Sequence, residues 1–268
     1  MDLFSLKGET AVVIGATGVL GGSMAEALAA AGATVAVCGR SKERGDACVA
    51  RIAKSGGAAF FVEVDAVSKS SLAAARGEIE KQSGVAGILV NAAGGNDPKA
   101  IVTVEQPVEA LTPEAWRENF DLNLVGGALL PCQEFGPAMK QRGDGSIINI
   151  ASISAHIPLS RVIAYSAAKA AVLNLTKFLA REWAPSNVRV NSITPGVFPA
   201  EQNRKLLFNE DGTPTDRTRA FFNHTPMARF GEPHELWGAL LFLASSKASG
   251  FVTGADIRVD GGFLSQTI

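Results

Sequence analysis

The chain contains one tyrosine, Tyr165, and Lys169 follows it four positions later within A-Y-S-A-A-K-A-A-V-L-N-L. This Ala-rich run predicts a helix, and residues four apart on a helix share a face. A phenol and an ammonium so placed can carry proton chemistry. The phenol has a reference pKa of about 10, so it exchanges protons near neutrality only where a fixed cation favours the phenolate. Bringing it to about 7 takes roughly 4 kcal/mol, which a desolvated ammonium and a second positive charge can supply. The same spacing also describes an exposed tyrosine and lysine on an amphipathic helix, because Y-x-x-x-K is a short pattern.

Elements on either side must position this pair, and the chain alternates short apolar runs with longer amphipathic ones. Strands are expected at Thr10 to Ile14, Thr34 to Cys38, Ala59 to Val64, Gly87 to Asn91, Ser146 to Ala151, Val188 to Ile193 and Ala255 to Val259. Between them, helices are expected at about Gly21 to Ala31, Lys42 to Ser55, Ser70 to Gln82, Pro113 to Gln141, Val162 to Trp183 and Pro233 to Ser245. Continuously apolar strands separated by helices imply a parallel sheet covered on both faces. A closed barrel satisfies that pattern as well as an open doubly wound sheet does. The loop V-I-G-A-T-G-V-L-G-G, with Gly15, Gly18, Gly21 and Gly22 between the first strand and first helix, favours the open form. Glycines there let the backbone approach a pyrophosphate at the positive end of a helix. They also permit close helix–strand packing with no ligand at all.

Composition limits the partners. Lys plus Arg number 25 against 26 Asp plus Glu, which leaves no basic stripe for nucleic acid or an anionic membrane. Cys38, Cys48 and Cys132 follow no metal-ligand spacing, so no metal site is expected. They read as small buried hydrophobes in a reducing, cytoplasmic setting. The first residues lack a secretory pattern. Residues 11–37 carry only Glu26 as a charge, but their glycines break them into strand, loop, helix and strand. With no linker, repeat or charge block, residues 1–268 read as one domain, with a substrate-loop insertion at about 197–232.

Together the glycine loop, N-A-A-G at Asn91 to Gly94, Asn123 in D-L-N-L, Ser152, Tyr165 with Lys169, P-G at Pro195 and Gly196, and the terminal V-T-G-A-D-I-R-V-D-G-G resemble the short-chain dehydrogenase/reductase family in order and spacing. The resemblance runs from about Leu6 to Gly262. It implies an α/β fold of the Rossmann type, a doubly wound parallel sheet of about seven strands. It further implies an NAD(P)-dependent oxidoreductase interconverting a secondary alcohol and a ketone. Tyr165 would be the general acid or base, Lys169 would lower its pKa and hold the nicotinamide ribose, and Ser152 would donate to the carbonyl oxygen. Asn123 would hold a water linking Lys169 to solvent. Gly15, Thr17, Gly18, Val19, Leu20 and Gly21 would bind the dinucleotide, as would Asp65 and Ala66, Asn91, Ala92, Ala93 and Gly94. Ile193 to Gly196, with Pro195 among them, would lie along the nicotinamide, and Phe198 would be a further cofactor contact. Two departures stand out: Val19 occupies a position where the family commonly has glycine, with Gly18 one residue early. P-G-V-F-P-A-E also lacks the threonine that often follows the P-G pair.

Gly39, Arg40 and Ser41 end the second strand without a carboxylate, which leans the cofactor towards NADP, with NAD possible. Candidate substrate contacts are Asn96, Lys99, Ser152, His156, Tyr165, Gln202, Asn203 and Arg204, with Arg204 as the expected carboxylate clamp. The phrases N-A-A-G-G-N-D-P-K-A, E-Q-N-R-K-L-L-F-N-E-D-G and H-T-P-M-A-R-F-G-E-P are similar to the branch that interconverts D-mannonate and D-fructuronate. Gluconate or a 3-oxoacyl thioester are the alternative substrates, and a non-catalytic dinucleotide sensor is the reading from another class. The family resemblance also implies a homodimer or homotetramer built on the two longest helices.

Overall fold

The computed structural model describes residues 2–200 and 207–267. Seven strands form one sheet in the order β3-β2-β1-β4-β5-β6-β7, every neighbouring pair parallel. They are β1 (Thr10–Ile14), β2 (Thr34–Gly39), β3 (Ala58–Glu63), β4 (Ile88–Asn91), β5 (Gly145–Ile150), β6 (Val188–Pro195) and β7 (Asp256–Val259). β1, β4, β5 and β6 are buried at every position, which is why their sequences are apolar runs rather than alternations. Successive residues still face opposite layers. Val13, Val35 and Val37 pack with Met24, Leu28, Leu240 and Leu243 on one side, while Val12, Ile14 and Ile147 pack with Leu72, Phe135, Met139 and Leu179 on the other. The three cysteines are buried and free, as expected.

Helices α1 (Val19–Ala30), α2 (Lys42–Lys54) and α3 (Lys69–Ser83) lie close to their expected bounds. The fourth departs. In place of one helix from Pro113 to Gln141 the chain forms α4 (Pro113–Phe120), a π-helical segment (Asp121–Leu129) and α5 (Leu130–Arg142). Pro131 has no amide hydrogen for the regular ladder, so the hydrogen bonding around it must change. Gly126 allows the widened segment to press on the loop after β3: a methyl there would fall 2.6 Å from Val67 Cγ1. Helix α6 (Ile163–Trp183) follows, and its Trp183 ring fits over Gly136 of α5. Within the expected insertion lies a helix not foreseen, α7 (Asp216–His224), whose first turn is capped by the Thr215 side chain. The helix expected from Pro233 begins with a 3₁₀ turn (Pro233–Leu236) before α8 (Trp237–Ala244), and a short helical turn (Ser246–Ser249) follows it.

Candidate active site

The crossovers reverse direction between β1 and β4, and ligands of open α/β sheets bind outside the strand carboxyl ends at such a point. Ile14 pairs with both Cys38 and Asn91, and Asn91 pairs with Asn149, so the loops after β1, β2, β4 and β5 leave the sheet side by side. Gly15 turns away from β1 with φ 89°, and a methyl on it would fall 2.6 Å from Ala93 N. A methyl on Gly21 would lie 2.4 Å from Gly15 O. Only glycine allows these approaches. Helix α1 then starts with Gly18 at its cap and no side chain on its first amides. Those amides fit an anion such as a pyrophosphate. Val19, at the family's usual glycine position, is 43% exposed, so its side chain is partly open to solvent at the start of α1.

Around Tyr165 the polar groups are tightly held. Ser152 caps a 3₁₀ turn (Ile153–Ala155) and accepts hydrogen bonds from Ser154 N at 3.2 Å and Ser154 Oγ at 3.1 Å. Burial pushes the Tyr165 phenol above its ordinary value, and a hydrogen bond with Ser152 offsets part of that push. Lys169 is 4% exposed; its Nζ lies 5.7 Å from the Tyr165 ring centroid and donates to Ile150 O at 2.7 Å. Its desolvation lowers the ammonium to about 8. The ammonium spends a donor on a carbonyl, and burial dominates both groups.

Asn123 sits on the π-helical segment, fully buried. Its Oδ1 accepts from Gly95 N at 2.8 Å, and its Nδ2 donates to Gly95 O at 2.8 Å and Asn119 O at 2.9 Å. A methyl on Gly94 would lie 2.7 Å from Asn123 Oδ1 and 3.4 Å from Lys169 Nζ, so the N-A-A-G turn, Asn123 and Lys169 meet there. Beneath them Asn91 Nδ2 donates to Asn149 Oδ1 at 2.8 Å, and Asn149 passes the chain on to Thr176 at 2.9 Å. Asn119, Ser154, Asn149 and Thr176 were not foreseen. Only the i, i+4 spacing of Asn119 and Asn123 was a usable signal.

The remaining candidates divide. Arg40 is exposed at the end of β2, and Ser41 caps α2. A side chain on Gly39 would strike Thr17, with Cβ 2.5 Å from its Oγ1. Asp65 turns back to accept from Val67 N at 3.2 Å, and Ala66 lies against Gly126. Pro195 ends β6, Gly196 N donates to Val259 O, and Phe198 is buried beside Gly231. Asn96 is exposed, and Lys99 is engaged by Glu118 at 3.2 Å. His156 Nε2 faces Asp256 Oδ2 at 3.1 Å and Thr194 Oγ1 at 3.3 Å, tying the Ser152 loop to β6 and β7. Gln202, Asn203 and Arg204 lie outside the described residues. Among the described residues no cluster suits a metal ion and no helix is long and apolar enough to cross a membrane.

Residues 15–264 match the family model adh_short_C2, described as enoyl-(acyl carrier protein) reductase. The chain belongs to the short-chain dehydrogenase/reductase family. Among its relatives, the uncharacterized oxidoreductase UxuB of Bacillus subtilis is 42% identical over 273 residues, covering 98% of this chain and 97% of that one. A Haemophilus influenzae structure with bound NAD, described as a candidate D-mannonate oxidoreductase, superposes with TM-score 0.92 at 37% identity, covering 98% and 97% of the two chains. A gluconate 5-dehydrogenase from Burkholderia cenocepacia, in complex with NADP and tartrate, superposes with TM-score 0.88 at 33% identity, covering 99% of each. This short-chain dehydrogenase/reductase is accordingly an oxidoreductase that acts on alcohols with a nicotinamide dinucleotide.

Proposed function

We propose that this enzyme interconverts a sugar acid and its keto acid, D-mannonate and D-fructuronate in the first place. The observation that carries the reading is the likeness, over nearly the whole chain, to the Haemophilus influenzae protein described as a candidate D-mannonate oxidoreductase. Likeness to the gluconate 5-dehydrogenase makes gluconate and 5-ketogluconate the second reading. A 3-oxoacyl thioester carried on an acidic protein would want a basic entrance, which a net charge of −1 does not suggest. Retention of Asn123, Ser152, Tyr165 and Lys169 together argues against a sensor without catalysis.

When bound, the dinucleotide supplies hydride exchange at the carbonyl carbon. The chain supplies the rest. Tyr165 gives a proton to the carbonyl oxygen in reduction and takes it back in oxidation, and Ser152 donates to the charge that develops on the same oxygen. Lys169 stabilises the phenolate and binds the ribose, and Asn123 stands where a proton path from Lys169 to solvent passes. The α1 amides and Gly15 to Gly21 hold the pyrophosphate, and Asp65 meets the adenine edge. Arg40 supports NADP over NAD, because a carboxylate at Gly39 would collide with Thr17 while the guanidinium is open to a 2′-phosphate.

Oxidation of NADPH and NADH with D-fructuronate, 5-ketogluconate and an acetoacetyl thioester tests the reading, with Tyr165→Phe as control. D-Fructuronate should have the highest kcat/KM and Tyr165→Phe should abolish it. Unchanged activity in that variant would overturn the mechanism. Arg40→Ala should raise KM for NADPH far more than for NADH; equal effects would remove the NADP preference.

A further inference from the structure

The 3₁₀ turn that leaves β5 holds a second serine against the first. Ser152 caps the turn, and Ser154 lies within it, 3% exposed. Ser154 N donates to Ser152 Oγ at 3.2 Å, the bond a serine side chain makes to the backbone two residues on. Ser154 Oγ donates to the same oxygen at 3.1 Å. That is the one partner of the Ser154 hydroxyl among the described residues. Buried hydroxyls are as a rule hydrogen-bonded, so its proton is committed to Ser152.

A serine oxygen carries one proton and two lone pairs. Ser154 supplies a donor to each lone pair, so the direction that remains around Ser152 Oγ belongs to its own proton. The hydrogen bond between Ser152 and the Tyr165 phenol lies there. Without the Ser154 hydroxyl a lone pair stands open, and the Ser152 proton gains a second place to point. Bonds in such a chain also polarise one another, so a donor on Ser152 makes Ser152 a better donor in turn. The turn itself is held from outside. Ala155 N donates to Ser152 O at 2.9 Å and His156 N to Ile153 O at 3.1 Å. The His156 ring is fixed by Asp256 and Thr194, and Asp256 accepts from Ser192 Oγ at 2.6 Å and Thr194 Oγ1 at 2.8 Å. The two serines therefore rest on β6 and β7 rather than on whatever the site binds.

We propose that Ser154 is a positioning residue for the reaction: its amide and hydroxyl occupy both acceptor sites of Ser152 Oγ and aim the Ser152 proton at the oxygen that Tyr165 protonates. The inference rests on the reading of Tyr165 and Ser152 as the pair that meets the carbonyl, and it adds the residue that orients one of them. Ser154 acts only through Ser152, which separates it from a residue that merely supports the turn.

Steady-state kinetics on D-fructuronate and 5-ketogluconate, at saturating cofactor, compare the wild type with Ser154→Ala, Ser152→Ala and the double variant. Ser154→Ala should lower kcat roughly 3- to 10-fold, the worth of one neutral hydrogen bond, and leave KM nearly as it was. Ser154→Cys, close in volume and a weak donor, should slow the enzyme alike, which separates a lost bond from lost volume. In the Ser152→Ala background, Ser154→Ala should cost nothing further, because no proton is left to aim. Losses that multiply in the double variant, or an unchanged kcat in Ser154→Ala, overturn the proposal. Full activity in Ser152→Ala removes the reading beneath it, and the proposal with it. A second readout needs neither substrate nor cofactor. Tyr165 is the only tyrosine, so the near-ultraviolet phenolate band titrates this residue alone. Ser154→Ala should move its midpoint to higher pH, since the bond from Ser152 favours the phenolate, and should leave it in place in the Ser152→Ala background. Equal midpoints in wild type and Ser154→Ala overturn the proposal even where neither keto acid is reduced.

Discussion

Tyr165 and Lys169 are each driven by burial towards the neutral form, the phenol upward and the ammonium down to about 8. For Lys169 the sign has a consequence for stability. Its folded value lies below the unfolded one of about 10.4, so the unfolded chain binds the extra proton and stability rises with pH between about 8 and 10.4. Below that window the buried charge costs about 3 kcal/mol, which Lys169→Met removes at the expense of the bond to Ile150 O. The variant should be inactive yet melt higher than the wild type at pH 7, and its stability should lose the rise between pH 8 and 10. Calorimetry across that range checks both. Activity should follow the phenol, which burial holds above its ordinary value: kcat/KM for alcohol oxidation keeps increasing into the alkaline range, because the base form is needed, while carbonyl reduction declines there. Ser152→Ala removes the bond that offsets burial and should cut kcat about 100- to 1,000-fold in both directions.

At the scale of elements, the π-helical segment decides whether the site assembles. It widens the helix where Gly126 and Gly127 touch the loops after β3 and β4, and it delivers the Asn123 amide to both polar groups of Gly95. Asn123→Ala strands those half-buried groups, each worth up to roughly 1–3 kcal/mol if left unpaired. The variant should melt several degrees lower and lose activity; an unchanged melting point would mean that the turn holds itself. Gly15→Ala acts on a different element, forcing a methyl into Ala93 N at 2.6 Å, and should abolish NADPH binding measured by fluorescence. Strand and helix positions were legible in the sequence because parallel strands buried on both faces are apolar throughout. The break in the long helix was not, because it comes from contacts with loops far away in the chain. Helix α7 was missed because its pattern is polar, with Thr218 its buried residue.

Over the whole molecule, apolar surface remains where no element of this chain covers it. Phe251 is fully exposed beside the edge strand β7, and Phe178 is 51% exposed on α6. Open sheet edges and exposed rings are surfaces that association hides. A homodimer or homotetramer formed through α6 and the β7 edge should appear in light scattering, and Phe251→Glu should shift it to a smaller species with Tyr165 chemistry intact. A monomeric wild type would remove that expectation.

From the sequence came the alternation of strands and helices, the glycine loop and the Tyr165–Lys169 spacing, because apolar periodicity, glycine spacing and residues four apart on one helix are local. The resemblance to the short-chain dehydrogenase/reductase family added the open sheet, which the structure shows, and the expectation that Asn123 and Ser152 join that pair. Tertiary structure alone decided what those groups feel and what lies around them. It turned Lys169 onto Ile150 O, gave His156 to Asp256, and brought the Asn123 amide onto Gly95. Burial and proximity between segments far apart in the chain control these outcomes, and neither is a property of local sequence.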